Sequence, residues 1–177
     1  MKQRIIISLA VAAVALVAAT AAFASTLTAT ANVTGTAGIS LNLPSAPSFS
    51  DIIDGSDQTV SYAPVLGVVD ARGTGAGWNL TIAATTFTDT ASHTLAAGNV
   101  SAVAQACHAA STCTTATNAI SGYPLGLTTT AAKVFNAAAN TGLGKIDVTP
   151  TIQVPIPGNS YAGTYTSTVT LASVSGP

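Results

Sequence analysis

The chain predicts an all-β fold, a single Thr-rich antiparallel β-sandwich or barrel-like domain, on three observations. Threonine, serine, valine and alanine dominate, and branching at Cβ suits Thr and Val to a pleated surface. Several stretches alternate apolar and polar residues with period two, the mark of strands with one buried face. Glycine- and proline-bearing turns recur at short intervals between those stretches, as in sandwiches and barrels. A mean hydropathy of +0.52 excludes the low hydrophobicity that disorder requires.

The chain opens as a secretory signal. Lys2 and Arg4 give a positive start, residues 5–19 form an apolar run, and Ala22-Phe23-Ala24 offers a small-x-small cleavage site. The run is shorter than the ~20 residues of a spanning helix, and no positive cluster follows it. Residues 1–24 are therefore expected to be a cleaved leader, with no membrane span after cleavage. The product is a secreted, extracellular or cell-surface domain of residues 25–177, long enough for a sizeable core.

The charges of that domain are few: Arg72, Lys133 and Lys145 against Asp51, Asp54, Asp57, Asp70, Asp89 and Asp147, with no Glu. Nucleic acid requires clustered Lys and Arg, so it is not an expected partner. A basic membrane-surface helix is missing for the same reason.

Residues 26–34 alternate cleanly, with Leu27, Ala29, Ala31 and Val33 on one side, and predict the first strand. The pattern resumes at Ile39, Leu41 and Leu43, then stops at Pro44 and Pro47, which lack the donor a ladder needs. Asp51, Asp54 and Asp57 flank Gly55. A calcium loop is one reading, but the spacing departs from Asp-x-Asx-x-Asx-Gly and no Glu closes the coordination. A polar turn is the other. Residues 59–69 predict a strand pair or one long bent strand, interrupted at Pro64 and Gly67.

Gly73, Gly75 and Gly77 lead into Trp78. A dinucleotide loop must open a helix, whereas Trp78-Asn79-Leu80-Thr81-Ile82 reads as a strand. The glycines instead fit a bend with positive φ or close backbone approach, and Trp78, Leu80 and Ile82 share the inward face beyond it. Asp70 and Arg72 fall on one strand face and are expected to form an exposed pair that orients the bend.

Residues 85–140 have weak periodicity and predict strands and long loops stapled by a disulfide. Ala102 to Ala110 has helical propensity, although strand is the preferred reading. Cys107 and Cys113 are the only cysteines, and in an exported chain such a pair is expected to be bridged. The alternative, a metal held with His108 and His93, lacks zinc spacing, so no metal and no cofactor is expected. Tyr123-Pro124-Leu125-Gly126 marks a turn and residues 133–139 a strand. Ile146, Val148, Ile152, Val154 and Ile156 hold one face of another, where Pro150 points to an edge or a bulge. Tyr161, Tyr165, Val169 and Leu171 alternate with threonines in the most regular expected strand of all.

Val69-Asp70-Ala71-Arg72-Gly73-Thr74-Gly75-Ala76-Gly77-Trp78-Asn79-Leu80 resembles the first motif of WxL-domain surface proteins. Residues 161–171 are similar to its C-terminal partner, except that Val169 stands where the family has the second Trp. The resemblance implies non-covalent attachment to Gram-positive cell walls through peptidoglycan, or association with other surface proteins. Asp70, Arg72, Trp78, Leu80, Tyr161 and Tyr165 are the candidate binding residues. Of these Trp78 is first a core residue, and the aromatics serve as platforms only where exposed.

Two other classes compete. A filament or pilus-like subunit would donate residues 26–34 to a neighbour's sheet edge. A secreted enzyme would need positioned acids and bases. His93 and Asp89 with a serine make a triad only on paper, without a nucleophile-elbow motif, so no catalysis is expected.

Overall fold

The computed structural model describes residues 29–36 and 38–177, and Val33–Pro177 pack as one unit. The expected leader and residues 26–28 lie outside the described residues. Among the described residues there are strands and no helix: β1 (Ile39–Asn42), β2 (Gln58–Tyr62), β3 (Leu66–Asp70), β4 (Trp78–Ala84), β5 (Phe87–Thr88), β6 (Thr94–Leu95), β7 (Asn99–Cys107), β8 (Leu125–Gly126), β9 (Ala132–Ala137), β10 (Gly144–Ile156) and β11 (Val169–Ser175). One sheet runs β1-β3-β10-β7-β8, with β2 also on β10. A second runs β11-β4-β9, and β5 pairs β6 in a short ribbon. All pairings are antiparallel, and the sheets stay open as a sandwich rather than closing into a barrel.

The 13-residue β10 is the spine of the larger sheet. Its even-numbered residues from Ile146 to Val154 form one buried row, as their alternation predicts. Along one flank it pairs β3 through Val148↔Leu66 and then β2 through Ile152↔Tyr62, in a single continued register. That register sets Pro64 opposite Pro150. Neither has an N–H to offer, so the ladder breaks on both sides at one place. The expected strand pair over residues 59–69 is thus one bent flank of β10, split at Pro64. Pro150 is not on an edge strand, but the bulge is present beside it, where the β7 register shifts between Thr151 and Ile152. Ser101 is the extra residue.

The core lies between the sheets. Trp78, Leu80 and Ile82 have no exposed surface and meet Leu66, Val68, Ile146, Val148 and Ile152 from the other layer. Burying each such side chain contributes about 1.5–3 kcal/mol. Gly73, Gly75 and Gly77 all adopt positive φ, +71°, +67° and +71°, so the bend before β4 is the left-handed one their spacing predicts.

Two expected strands differ. Residues 29–34 form no ladder and are exposed, Val33 at 90 %. Alternation specifies which face would be buried, not that a partner strand is there to receive it. The last strand begins only at Val169 and runs on to Ser175. Residues 157–168 carry the chain from one sheet to the other, and within them only Thr166 bridges, to Thr88. In the 85–140 region the helical propensity of Ala102 to Ala110 loses to β7, which is held by β10 along its length. Cys107 and Cys113 are bridged at the end of that strand.

Beside this loop region, Gln105 exchanges two hydrogen bonds with Ala116, at 2.7 and 3.0 Å. Asn118 and the buried Asn136 pin residues 118–120 to β9.

Candidate functional site

The six candidate residues divide between the two ends of β4. At its start, Asp70 ends β3 and Arg72 lies two residues further on, in the glycine bend. The guanidinium grips the carboxylate with two forked bonds, Nε to Oδ1 and Nη2 to Oδ2, both 2.8 Å. It also donates to the Gly77 carbonyl at 2.7 Å and to the Ser175 hydroxyl. Asp70 is 2 % exposed, so the expected exposed pair is instead a largely buried one. The Arg72 hydrogen bonds hold the Asp70 carboxyl below the usual carboxylate range, against burial, with the Arg72 charge assisting. Asp70 is buried because it continues the inward row of Leu66 and Val68 on β3, flanked by Ile39 of β1 and Gly144 of β10, while Ser175 at the end of β11 meets only the guanidinium.

Trp78 follows directly. Its indole donates to the Gly142 carbonyl at 2.9 Å, and its ring lies 5.7 Å from Phe135. A Cβ on Gly142 would fall 2.7 Å from that indole nitrogen, so the small residue is what lets the loop reach it. The Asn79 side chain donates to the Gly176 carbonyl at 2.8 Å, and the Gly77 carbonyl accepts the Gly176 N–H at 3.1 Å. The glycine bend, Trp78 and the end of β11 therefore form one closed knot, in which Trp78 and Leu80 offer no surface to a ligand.

Beyond the other end of β4 lies a different arrangement. Tyr161 is 65 % exposed, and one face of its ring stacks on His93 at 3.9 Å and 13°. His93 Nδ1 lies 2.7 Å from Asp89 Oδ2. Asp89 Oδ1 accepts the backbone N–H groups of Ala91 and His93 at 2.9 and 2.7 Å. Burial works to raise the Asp89 pKa, but His93 and these N–H groups outweigh it and hold the carboxyl low. The Tyr165 hydroxyl donates to the Tyr161 carbonyl at 2.8 Å, and burial together with the Asp89 charge raises its pKa. In the sequence Asp89 and His93 make a triad only on paper. In the structure no hydroxyl hydrogen-bonds His93 among the described residues, and its ring backs an exposed tyrosine instead.

The remaining sequence candidates are occupied locally. Asp54 accepts the Ser56 hydroxyl at 2.6 Å and N–H at 2.9 Å, which lower its pKa to about 2. Asp57 accepts the Gly158 N–H at 2.9 Å. These bonds make residues 51–57 a polar turn docked on the connection between β10 and β11. Cys107 and Cys113 are bonded to each other, and His108 Nδ1 sits 2.9 Å from Asp147. Among the described residues no three His, Cys, Asp or Glu side chains gather as a metal site would require.

An apolar groove of about 300 Å³ also opens between the sheets, between residues 43–49 and β11, with Phe49 stacked on Tyr62 at 5.7 Å. No helix among the described residues is long and apolar enough to cross a membrane.

Comparison with curated proteins and with solved structures finds no match. The family model described as WxL domain surface cell wall-binding matches residues 40–173. This span takes in the glycine bend, Trp78 and β11 as far as Ser173. The chain belongs to the WxL domain family of surface cell wall-binding proteins.

Proposed function

We propose that this chain is exported, loses its leader after Ala24, and works without catalysis as a surface protein held non-covalently to peptidoglycan. The observation that carries this reading is the exposed Tyr161 ring, fixed from behind by His93. It supports a division of labour among the candidate residues. Asp70, Arg72, Trp78 and Leu80 build the scaffold, while Tyr161, supported by Tyr165, makes the contact. On this reading the absence of a second Trp at Val169 is tolerable, because the contact does not depend on it.

The test is co-sedimentation of residues 25–177 with purified Gram-positive peptidoglycan. The wild-type chain and a folded Trp78→Phe variant should pellet alike, whereas Tyr161→Ala should lower the affinity about tenfold, near 1.4 kcal/mol. A wild-type chain that stays in the supernatant would reject wall attachment and favour association with other surface proteins. A filament subunit is the second reading, favoured by the exposed alternating residues 29–34. It predicts a ladder of oligomers on a native gel.

A further inference from the structure

We infer that the Tyr161 site takes the neutral glycan strand of the wall, through the flat face of one acetamido-sugar ring, rather than phosphate-bearing polymers or carboxylate-bearing stem peptides. The inference rests on the wall-attachment reading above.

Geometry comes first. His93 covers one face of the Tyr161 ring at 3.9 Å, and the 65 % exposure of the residue leaves the other face to solvent. A platform with a single open face suits a flat, weakly polar ligand surface. A pyranose supplies one in its axial C–H face, which gains dispersion and quadrupole contact over an aromatic ring. The same ring turns hydroxyl and acetamido groups outward to water or to neighbouring hydroxyls.

Preorganisation comes second. Asp89 fixes His93 by its ring and its backbone, at 2.7 Å each, and Tyr165 ties down the Tyr161 carbonyl. Thr166 and Thr88 bridge the two segments that carry these residues. The platform is set before ligand arrives, so binding incurs little ordering cost. Here Asp89 and His93 are positioning residues.

Charge decides among the wall polymers. Phosphate and carboxylate recognition relies on Lys and Arg. The described residues contain three such side chains, and none belongs to this site: Arg72 is clamped on Asp70, Lys133 donates to Pro177 and Lys145 is on β10. The Asp89 carboxylate is taken up by His93 and two backbone N–H groups, so no Lys or Arg is placed here to pair with an anion. A neutral glycan needs no such partner.

The experiment titrates isotopically labelled residues 25–177 with an N-acetylglucosamine tetrasaccharide. Parallel arms use a soluble polyglycerol phosphate and a soluble stem tetrapeptide. The tetrasaccharide should shift the resonances of Tyr161, His93 and Tyr165, with an affinity that changes less than about twofold between low and high salt. Tyr161→Ala should weaken binding about tenfold and Tyr161→Trp should preserve it. His93→Ala should weaken it severalfold while Tyr161 remains present.

Shifts at this site from the phosphate polymer or the peptide, with none from the tetrasaccharide, would overturn the ligand class. Equal tetrasaccharide binding by Tyr161→Ala would overturn the site. If intact peptidoglycan still pellets the chain through Tyr161 while the tetrasaccharide does nothing, this inference fails and wall attachment stands. If neither binds, the attachment reading itself fails.

Discussion

Arg72 donates to Asp70, to the Gly77 carbonyl and to Ser175, so one guanidinium joins the ends of β3, β4 and β11. Replacing it with Ala leaves the buried Asp70 carboxylate without its counter-charge. Arg72→Ala should therefore cost about 3–5 kcal/mol of stability, read as a lowered urea midpoint. Arg72→Lys should recover only part, because an ammonium cannot reproduce the forked geometry. If Arg72→Ala unfolds at the wild-type midpoint, the clamp is not structural. The two-residue spacing of Asp70 and Arg72 makes the pair legible in the sequence. Its tie to Ser175 is not, because that residue lies 103 positions from Arg72. Tyr161 shows the same limit. Its ring can be named as a platform, but its stacking on His93 depends on a crossover that no local pattern announces.

Among the elements, the glycine bend and β10 show how far local chemistry reaches. Gly73 and Gly77 share φ of +71°, yet a Cβ on Gly73 would meet nothing within 4 Å, whereas one on Gly77 would lie 2.5 Å from the Ala137 carbonyl. Gly73→Ala should cost about 1–2 kcal/mol from backbone strain alone. Gly77→Ala should cost clearly more, since β9 must also retreat from β4. Thermal melts of both variants test this, and equal losses would show that close approach contributes nothing. Pro150, by its missing donor, predicts an edge or a bulge. The bulge is there, but a proline can also lie within a central strand where the neighbouring ladder is broken, as it is at Pro64. Residues 29–34 and 161–168 carry strand patterns without forming strands. A strand needs a paired neighbour as well as a periodic sequence.

The whole molecule has few charges, and its carboxylates give its stability a definite pH response. Asp54, Asp70 and Asp89 are all held below their ordinary pKa, so the folded chain binds fewer protons than the unfolded chain as acid is added. Their contribution is complete above about pH 4 and is lost as pH falls through the folded values. Melting temperatures measured from about pH 7 to about pH 2 should decline below about pH 4. Asp70→Asn should start lower and decline less steeply, and an unchanged slope would remove Asp70 from the account.

Sequence alone determined the all-β class, the inward row of Trp78, Leu80 and Ile82, the positive-φ bend and the disulfide. Each follows from side-chain period, backbone sterics or the pairing of two lone cysteines. Only the tertiary structure decided that Asp70 is buried beneath Arg72 and that β2 and β3 share one flank of β10. It also decided that Asp89 and His93 support Tyr161 at the far end of β4 from Trp78. Those facts depend on which distant strands meet, and neither alternation nor propensity specifies a partner.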